Sequence, residues 1–414
     1  MDPSPDKTHE DLRGGYPPWH QQKRPLTRSV VSADMRCDVL VVGAGITGSF
    51  MAEHLSALGH EVCVLDRERP GLGSTAASTA MLLWEIDAPL MKLTQLYGFE
   101  RAAGIYRHSL RAVAGLKELV EAYDLRCGLR ARSSIYLAKA GSNPRELLAE
   151  HELRQRADLP GAYLDHRRLL SEFSLSREAA LVSPGSAEVD PVLLSQALLA
   201  RAGQQGASVL AGEAVSYESV GRGVLVGLDN GCAIEAGKLV LATGYVMPDW
   251  LSTPLHAVSS TWAIATPPLH PSALWRDRAL LWEAGDKYCY ARTTTDNRIV
   301  IGGEDDDELT DQSARDEAMP AKTKTLLERL AGLWPTAQAC AEFKWSGAFG
   351  ETADGLPLIG PVPGRPSMFA AYGYGGNGIT FSYMASRMIG KMIAGQHQPW
   401  FEDLAVDRSL PKGD

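Results

Sequence analysis

Asp66 and the glycines at 43, 45 and 48 are the residues whose types and spacing most suggest chemistry. The run Gly43-Ala44-Gly45-Ile46-Thr47-Gly48 is G-x-G-x-x-G, and Asp66 follows Gly43 by 23 residues. In such a motif the first glycine makes a tight turn, the second lets backbone approach a pyrophosphate, and the third lets helix pack on strand. The helix N-terminus offers free N–H groups and about half a positive charge to phosphates. An acid at this distance accepts hydrogen bonds from ribose hydroxyls, with Arg67 beside it. Ser74, Thr75, Ser78 and Thr79 add four hydroxyls among the small residues Ala76 and Ala80. That composition suits a second approach to the pyrophosphate, although a capped helix start uses the same residues. Glycines at 373, 375, 376 and 378 allow a second turn that other residue types make only with difficulty. It aims another helix N-terminus, from Asn377 through Ile379 and Thr380. A reduced flavin carries negative charge that a helix dipole and free N–H groups stabilise, a need that nicotinamide lacks. The two turns together point to FAD rather than NAD.

These groups need a strand, a turn, a helix and a strand to hold them. Residues 38–42 are an apolar, β-branched run of the kind buried on both faces of a parallel sheet. Residues 49–58 carry helical spacing that Gly59 ends, with His54 read as a packed or half-exposed residue and not a ligand. Residues 61–65 form a second buried strand with Asp66 at its end. Further on, residues 90–124 read as largely helical and 134–137 as a short strand. Asp190 caps a helix with Pro191 at its first position. Residues 209–215 begin a meander whose hairpin turn is Asp229-Asn230-Gly231. Residues 238–244 form a buried strand ending in Ala242-Thr243-Gly244, at the carboxyl end where ligands sit in doubly wound sheets. Strands fill 255–303, and period two sets Tyr288, Tyr290 and Arg292 on one face. A helix over 322–333 and a strand over 368–372 precede the second glycine turn. The expected fold is α/β: a Rossmann-like FAD-binding domain over 36–125, 180–252 and 341–395, discontinuous in sequence. A mainly antiparallel-sheet substrate domain covers 126–179 and 253–340, with a leader over 1–35, lying on the surface or at a cleft edge, and a tail over 396–414.

The 414 residues carry a net charge of −9, which argues against nucleic acid or an anionic membrane as partner. No run nears the roughly 18 apolar residues of a membrane span, and the N-terminus lacks a signal-peptide pattern, so a cytoplasmic protein is expected. The six cysteines form no C-x-x-C pair and no histidine-rich cluster. Reduced thiols are expected, and no metal site.

Several motifs, in order, resemble the family of FAD-dependent amine and amino-acid oxidoreductases that includes glycine oxidase, sarcosine oxidase and D-amino-acid oxidase. They are VVGAGITG with Asp66, STAASTAML from Ser74, VDP at 189–191, LATG at 241–244, WSG with TADGLPLIG at 345–360, and YGYGGNGIT at 372–380. The leader and the tyrosine–glycine turn look most like the γ-glutamylputrescine oxidoreductase branch. The resemblance implies that residues 74–80 line the pyrophosphate and ribityl chain and that the Val215 backbone meets adenine. It implies that Thr243 and Gly244 lie near the pyrophosphate and that residues 375–380 touch the isoalloxazine. Two positions depart from the family. Phe349 stands where glycine oxidases carry a substrate-clamping arginine, and Gly376 stands at their second basic position. Gly347 falls where sarcosine oxidases attach FAD through cysteine, so non-covalent FAD is expected.

The implied reaction removes a hydride from the carbon beside an amine nitrogen to flavin N5. The resulting imine hydrolyses, and oxygen or an electron carrier takes the electrons. Tyr288, Tyr290, Arg292, Phe349, Tyr372 and Tyr374 are candidates to line the substrate cleft. Their aromatic faces suit a cationic amine, yet Tyr288 and Tyr290 are equally at home in a sheet core, and Arg292 as a surface ion-pair partner. An FAD-dependent 2-hydroxy-acid dehydrogenase and a non-catalytic flavoprotein are the alternatives; the former needs a base that these motifs do not supply.

Overall fold

The computed structural model describes residues 12–21, 26–251, 253–285, 288–337 and 340–410. Residues 1–11 and 22–25 of the leader and the last four residues of the tail lie outside the described residues.

The β-branched run forms the strand Met35–Val42, with Leu40 and Val41 fully buried. It pairs in parallel with Ala233–Leu241 on one side and Val62–Asp66 on the other. Ser208–Ala211 and then Ser29–Val30 continue the parallel order. Arg365–Tyr372 joins beside the carboxyl half of Ala233–Leu241, also in parallel. Parallel strands of this kind bring their carboxyl ends to one rim. The glycine turns after residues 42 and 372, the Asp66 corner and the 242–250 loop all leave from that rim. The helices Ile46–Ala57, Pro191–Gln204 and Gly378–Ile393 pack together beside the sheet. Glu53, 2% exposed, holds them by accepting from Arg201 at 3.1 Å and Arg387 at 3.3 Å. His54 packs against Gly390, and burial beside Arg387 and Lys391 lowers its pKa to about 3, so it is a neutral core group.

The larger sheet is mainly antiparallel, with a parallel pairing between Leu280–Glu283 and Arg130–Leu137. Phe343–Thr352 pairs with His256–Ala265 along its whole length. The leader strand Arg13–Tyr16 pairs antiparallel with the outer side of Phe343–Thr352 and forms the edge of the sheet. Two segments expected in the dinucleotide domain, Ala179–Glu188 and Phe343–Thr352, supply strands to this larger sheet.

Local differences have local causes. The helix expected over 90–124 breaks at Gly98, whose φ of 79° is not helical, into Leu90–Tyr97 and Phe99–Ala122. The helix expected from 322 starts at Gln312, because the Asp311 carboxylate accepts from the Ala314 N–H at 2.9 Å and caps it. Pro320 inside this helix carries the breaker signature, but flanking helical turns hold the chain through it. The 209–215 strand is two strands, Ser208–Ala211 and Ala214–Val220.

A methyl group on Gly48 would lie 1.8 Å from the Gly43 carbonyl oxygen, so the first helix can approach the first strand only because residue 48 is glycine. Gly48→Ala is expected to lower unfolding free energy by about 1–3 kcal/mol, the usual cost of overpacking, measured by urea titration.

Candidate functional site

A cavity of about 790 Å³ runs along the rim from the Asp66 corner to the larger sheet. Small-molecule sites span about 300–1,000 Å³, so it has room for an extended ligand. All the residues expected at the cofactor line it except Ala44, Gly48, Ala76, Asn377 and Thr380, which brace it from behind.

At one end Gly43, with φ 107°, turns so tightly that a side chain would meet the Ala242 carbonyl oxygen at 2.3 Å. Asp66 Oδ2 accepts from the Ala44 N–H at 2.6 Å and Oδ1 from the Glu68 N–H at 2.8 Å, which sets the turn and the loop leaving the strand. Burial raises the Asp66 pKa, opposed by those two N–H groups and by Arg28 and Arg67. Arg67 pairs with Glu213 at 2.9 Å. Thr75 Oγ1 accepts from the Ile46 N–H at 2.9 Å, which ties the hydroxyl loop to the glycine turn. The Ser74 hydroxyl lines the cavity, buried and without a hydrogen-bond partner. Farther out, Val215 is 60% exposed along the cavity, near Trp250, whose ring lies 4.0 Å from the Arg365 guanidinium.

The hydroxyl loop is held by its carbonyls. Arg13 donates to Leu72 O, Trp19 Nε1 to Ala76 O at 2.8 Å, Trp345 Nε1 to Ala77 O at 2.8 Å, and Arg292 Nε to Thr79 O at 2.5 Å. With those carbonyls occupied on the far side, Ser74, Thr75, Ser78 and Thr79 line the cavity, Thr75 Oγ1 also holding the Ile46 N–H and Ser78 Oγ accepting from the Ala80 N–H at 3.0 Å. This explains the tryptophan of the W-S-G motif and the function of the leader. It also moves Arg292 out of the cleft. Arg292 is 3% exposed, donates to Val189 O as well, and lies 3.6 Å from the Glu188 carboxylate. Tyr372, 1% exposed, is likewise a core residue under the smaller sheet and not part of the cavity wall.

At the other end the second glycine turn is a short 3-10 segment, Gly375–Asn377, that runs into Gly378–Ile393. Its N–H groups are not all free, as the sequence suggested. Asp87 Oδ2 accepts from the Gly376 N–H at 2.5 Å. Asn377 Nδ2 donates to Glu85 O at 2.7 Å and Thr380 Oγ1 to Leu83 O at 2.9 Å, so both fasten the turn to the 83–87 segment. Tyr288, Tyr290, Phe349 and Tyr374 do line the cavity, the first two with ring centroids 6.0 Å apart. Asp87, Tyr245, Thr261 and Trp282 join them and were not singled out from the sequence. Asp87 had a signal: with Glu85 it is one of two acids in the otherwise apolar stretch MLLWEID. Its carboxylate is reached from the cavity but ringed by protein, and that desolvation raises its pKa to about 6 against the pull of the Gly376 N–H.

The Thr352-Ala353-Asp354-Gly355 turn is structural. Asp354, fully buried, accepts from Arg408 of the tail and from Tyr97, and Thr352 Oγ1 donates to Leu356 O at 2.7 Å.

A family model described as FAD dependent oxidoreductase matches residues 38–392. The chain is 23% identical to γ-glutamylputrescine oxidoreductase of Escherichia coli (strain K12), over 88% of this chain and 85% of that one. The glycine oxidase structure from Geobacillus kaustophilus superposes with a TM-score of 0.75 at 22% identity, covering 91% of this chain and 99% of the other. The L-proline dehydrogenase structure from P. horikoshii gives 0.74 at 17% identity, over 90% and 97%.

Two outcomes follow from this geometry. Trp19→Phe keeps the ring but leaves the buried Ala76 carbonyl unpaired. It is expected to cost about 1–3 kcal/mol of stability, read in a thermal melt, and to weaken retention of a bound dinucleotide. The second concerns Asp87. Its pKa is higher folded than its ordinary 3.8. The folded state therefore holds a proton that the unfolded chain releases between those values. The stability this group contributes is complete below about pH 3.8 and is lost as pH rises through about 6. Melting temperature against pH should lose that part of its slope in Asp87→Asn.

Proposed function

The chain belongs to the family of FAD-dependent oxidoreductases, and we propose that it oxidises the C–N bond of an amine or amino-acid-like substrate. The observation that carries this reading is one continuous cavity whose two ends are the Asp66 corner and the tyrosine wall beside the second glycine turn. The names of the relatives, which include γ-glutamylputrescine, glycine and L-proline, support a nitrogen next to the reacting carbon.

In this reading Gly43, Gly45, Ile46 and Thr47 hold the pyrophosphate, with the unpartnered Ser74 hydroxyl beside them. Asp66 and Arg67 face the ribose, Val215 and Trp250 the adenine, and Tyr374 to Ile379 the ring system. FAD is held without a covalent bond: Gly347 lines the cavity and none of the six cysteines does. Bound there, FAD supplies the two-electron acceptor that takes a hydride from the carbon beside the nitrogen, and water hydrolyses the C=N product to a carbonyl compound and an amine. The protein binds and orients. Tyr288, Tyr290 and Phe349 wall the reacting carbon from water, and Asp87 attracts a cationic nitrogen toward it. The 2-hydroxy-acid alternative calls for a base, and no histidine lines the cavity among the described residues; His256 stands behind Tyr245. Oxygen or an electron carrier completes the cycle. A cytoplasmic location belongs to the same proposal and is supported by cysteines that are free thiols.

The test is anaerobic mixing of the FAD-loaded protein with amines, N-methyl amines, amino acids and 2-hydroxy acids while following flavin absorbance. Bleaching by a nitrogen compound is expected, and admission of air then separates oxidase from carrier-linked dehydrogenase. Bleaching by hydroxy acids alone, or by nothing, sinks the reading. Asp66→Ala should weaken FAD binding about tenfold or more in a fluorescence titration, since it removes the ribose acceptor and frees the Ala44 N–H.

A further inference from the structure

Resting on that C–N reading, we propose that the substrate is an aliphatic diamine or polyamine. Its reacting amine lies along the tyrosine wall, and its second ammonium enters an acidic side chamber reached past Tyr288.

The chamber is a separate cavity of about 410 Å³, and Tyr288 forms a wall of both spaces. Its other lining residues are the run from Glu304 to Glu308 and Lys322. Two of the carboxylates are balanced locally: Asp306 pairs with Lys322 at 3.1 Å and Glu304 with Arg329 at 2.5 Å. Asp305 is different. Its Oδ1 is buried without a hydrogen-bond partner, while hydrogen bonding by Thr261 and Tyr288 and the nearby Lys322 favour the charged carboxylate against its burial. A buried carboxylate oxygen left this way is costly unless a cation or donor reaches it. Asp305 and Asp87 each raise the pKa of Tyr288 and Tyr290, behind the effect of burial, so the wall between the two spaces lies in a field of one sign.

The main cavity agrees independently. The Trp282 side chain is 8% exposed, lines the cavity, and its indole N–H has no partner. That donor suits the lone pair of a neutral amine at the reacting end. The basic side chains lining the cavity among the described residues are Arg67, Arg69 and Arg365, toward Asp66 and Trp250. Arg292, the cation the sequence set on the tyrosine face, is spent on Thr79 O, Val189 O and Glu188. A substrate carboxylate at this end would face Asp87 with no cavity-lining cation beside it among the described residues, whereas an ammonium would face Asp87 and aromatic rings. A monoamine fills the tyrosine-walled space but leaves the chamber behind Tyr288 unmet. The oxidation is unchanged by this choice. The hydride and its electron pair leave the carbon beside the neutral nitrogen, C=N forms there, and the distant ammonium keeps its proton.

The test compares three probes of equal chain length on the FAD-loaded protein: an n-alkylamine, the α,ω-diamine and the ω-amino acid. The half-saturating concentration for anaerobic flavin bleaching is expected to be about tenfold or more lower for the diamine than for the monoamine, with the amino acid weakest. Added salt should shrink the gap. Asp305→Asn should bring the diamine-to-monoamine ratio toward one while the flavin spectrum shows FAD in place. Equal constants for diamine and monoamine, a preference for the amino acid, or a ratio that Asp305→Asn leaves untouched would overturn the proposal. If Asp305→Asn does not hold FAD, the salt dependence of the wild-type ratio decides. Bleaching by nitrogen compounds without diamine preference removes this inference and leaves the C–N reading standing; no bleaching by any of them removes both.

Discussion

Four outward carbonyls govern the site. The loop over 72–79 carries the hydroxyls of the cavity, yet nothing in its own sequence decides which edge faces the ligand space. Donors from three distant parts of the chain decide it: Arg13 and Trp19 of the leader, Arg292 of the larger sheet and Trp345 of the strand beside the leader. Each takes a carbonyl that burial would otherwise leave unsatisfied, at a cost of about 1–3 kcal/mol apiece. The same bonds join the two sheets, because the loop leaves the smaller sheet and its donors belong to the larger one and its edge. Cavity shape and sheet contact are therefore one constraint.

Charge is graded along the cavity. Arg67, Arg69 and Arg365 stand toward the Asp66 end among Asp66, Glu68, Glu213 and Asp249, whereas Asp87 and the 304–308 run at the other end have only Lys322 among the described cations lining their spaces. A gradient of this kind orients a ligand with an anionic middle and favours a cation at its far end. Ala80 lies between, with the left-handed φ of 54° at 1% exposure. Holding an alanine there costs energy that the carbonyl bonds on either side offset.

The sequence made the first βαβ unit legible because every level agreed: β-branched strands, the glycine spacing and the acid at the strand end. The second glycine turn was legible in type but not in detail. Nothing local to 375–378 announces that Asp87, almost 290 residues earlier, takes the Gly376 N–H. Arg292 shows the opposite failure. Period two placed it on the tyrosine face, but strand Cys289–Thr293 carries it past the cavity edge, where carbonyls from two other segments claim it. The leader read as a polar covering because its three useful residues, Arg13, Trp19 and the cavity-lining Leu12, gain meaning only against strands made much later.

That last pairing sets an order of assembly. Arg13–Tyr16 emerges from the ribosome early, while its partner Phe343–Thr352 emerges some 330 residues on. Until then Trp19 has no neighbour in Trp345, and the Ala77 carbonyl of the hydroxyl loop lacks its donor. The nascent chain therefore carries a half-built cleft until Phe343–Thr352 has emerged.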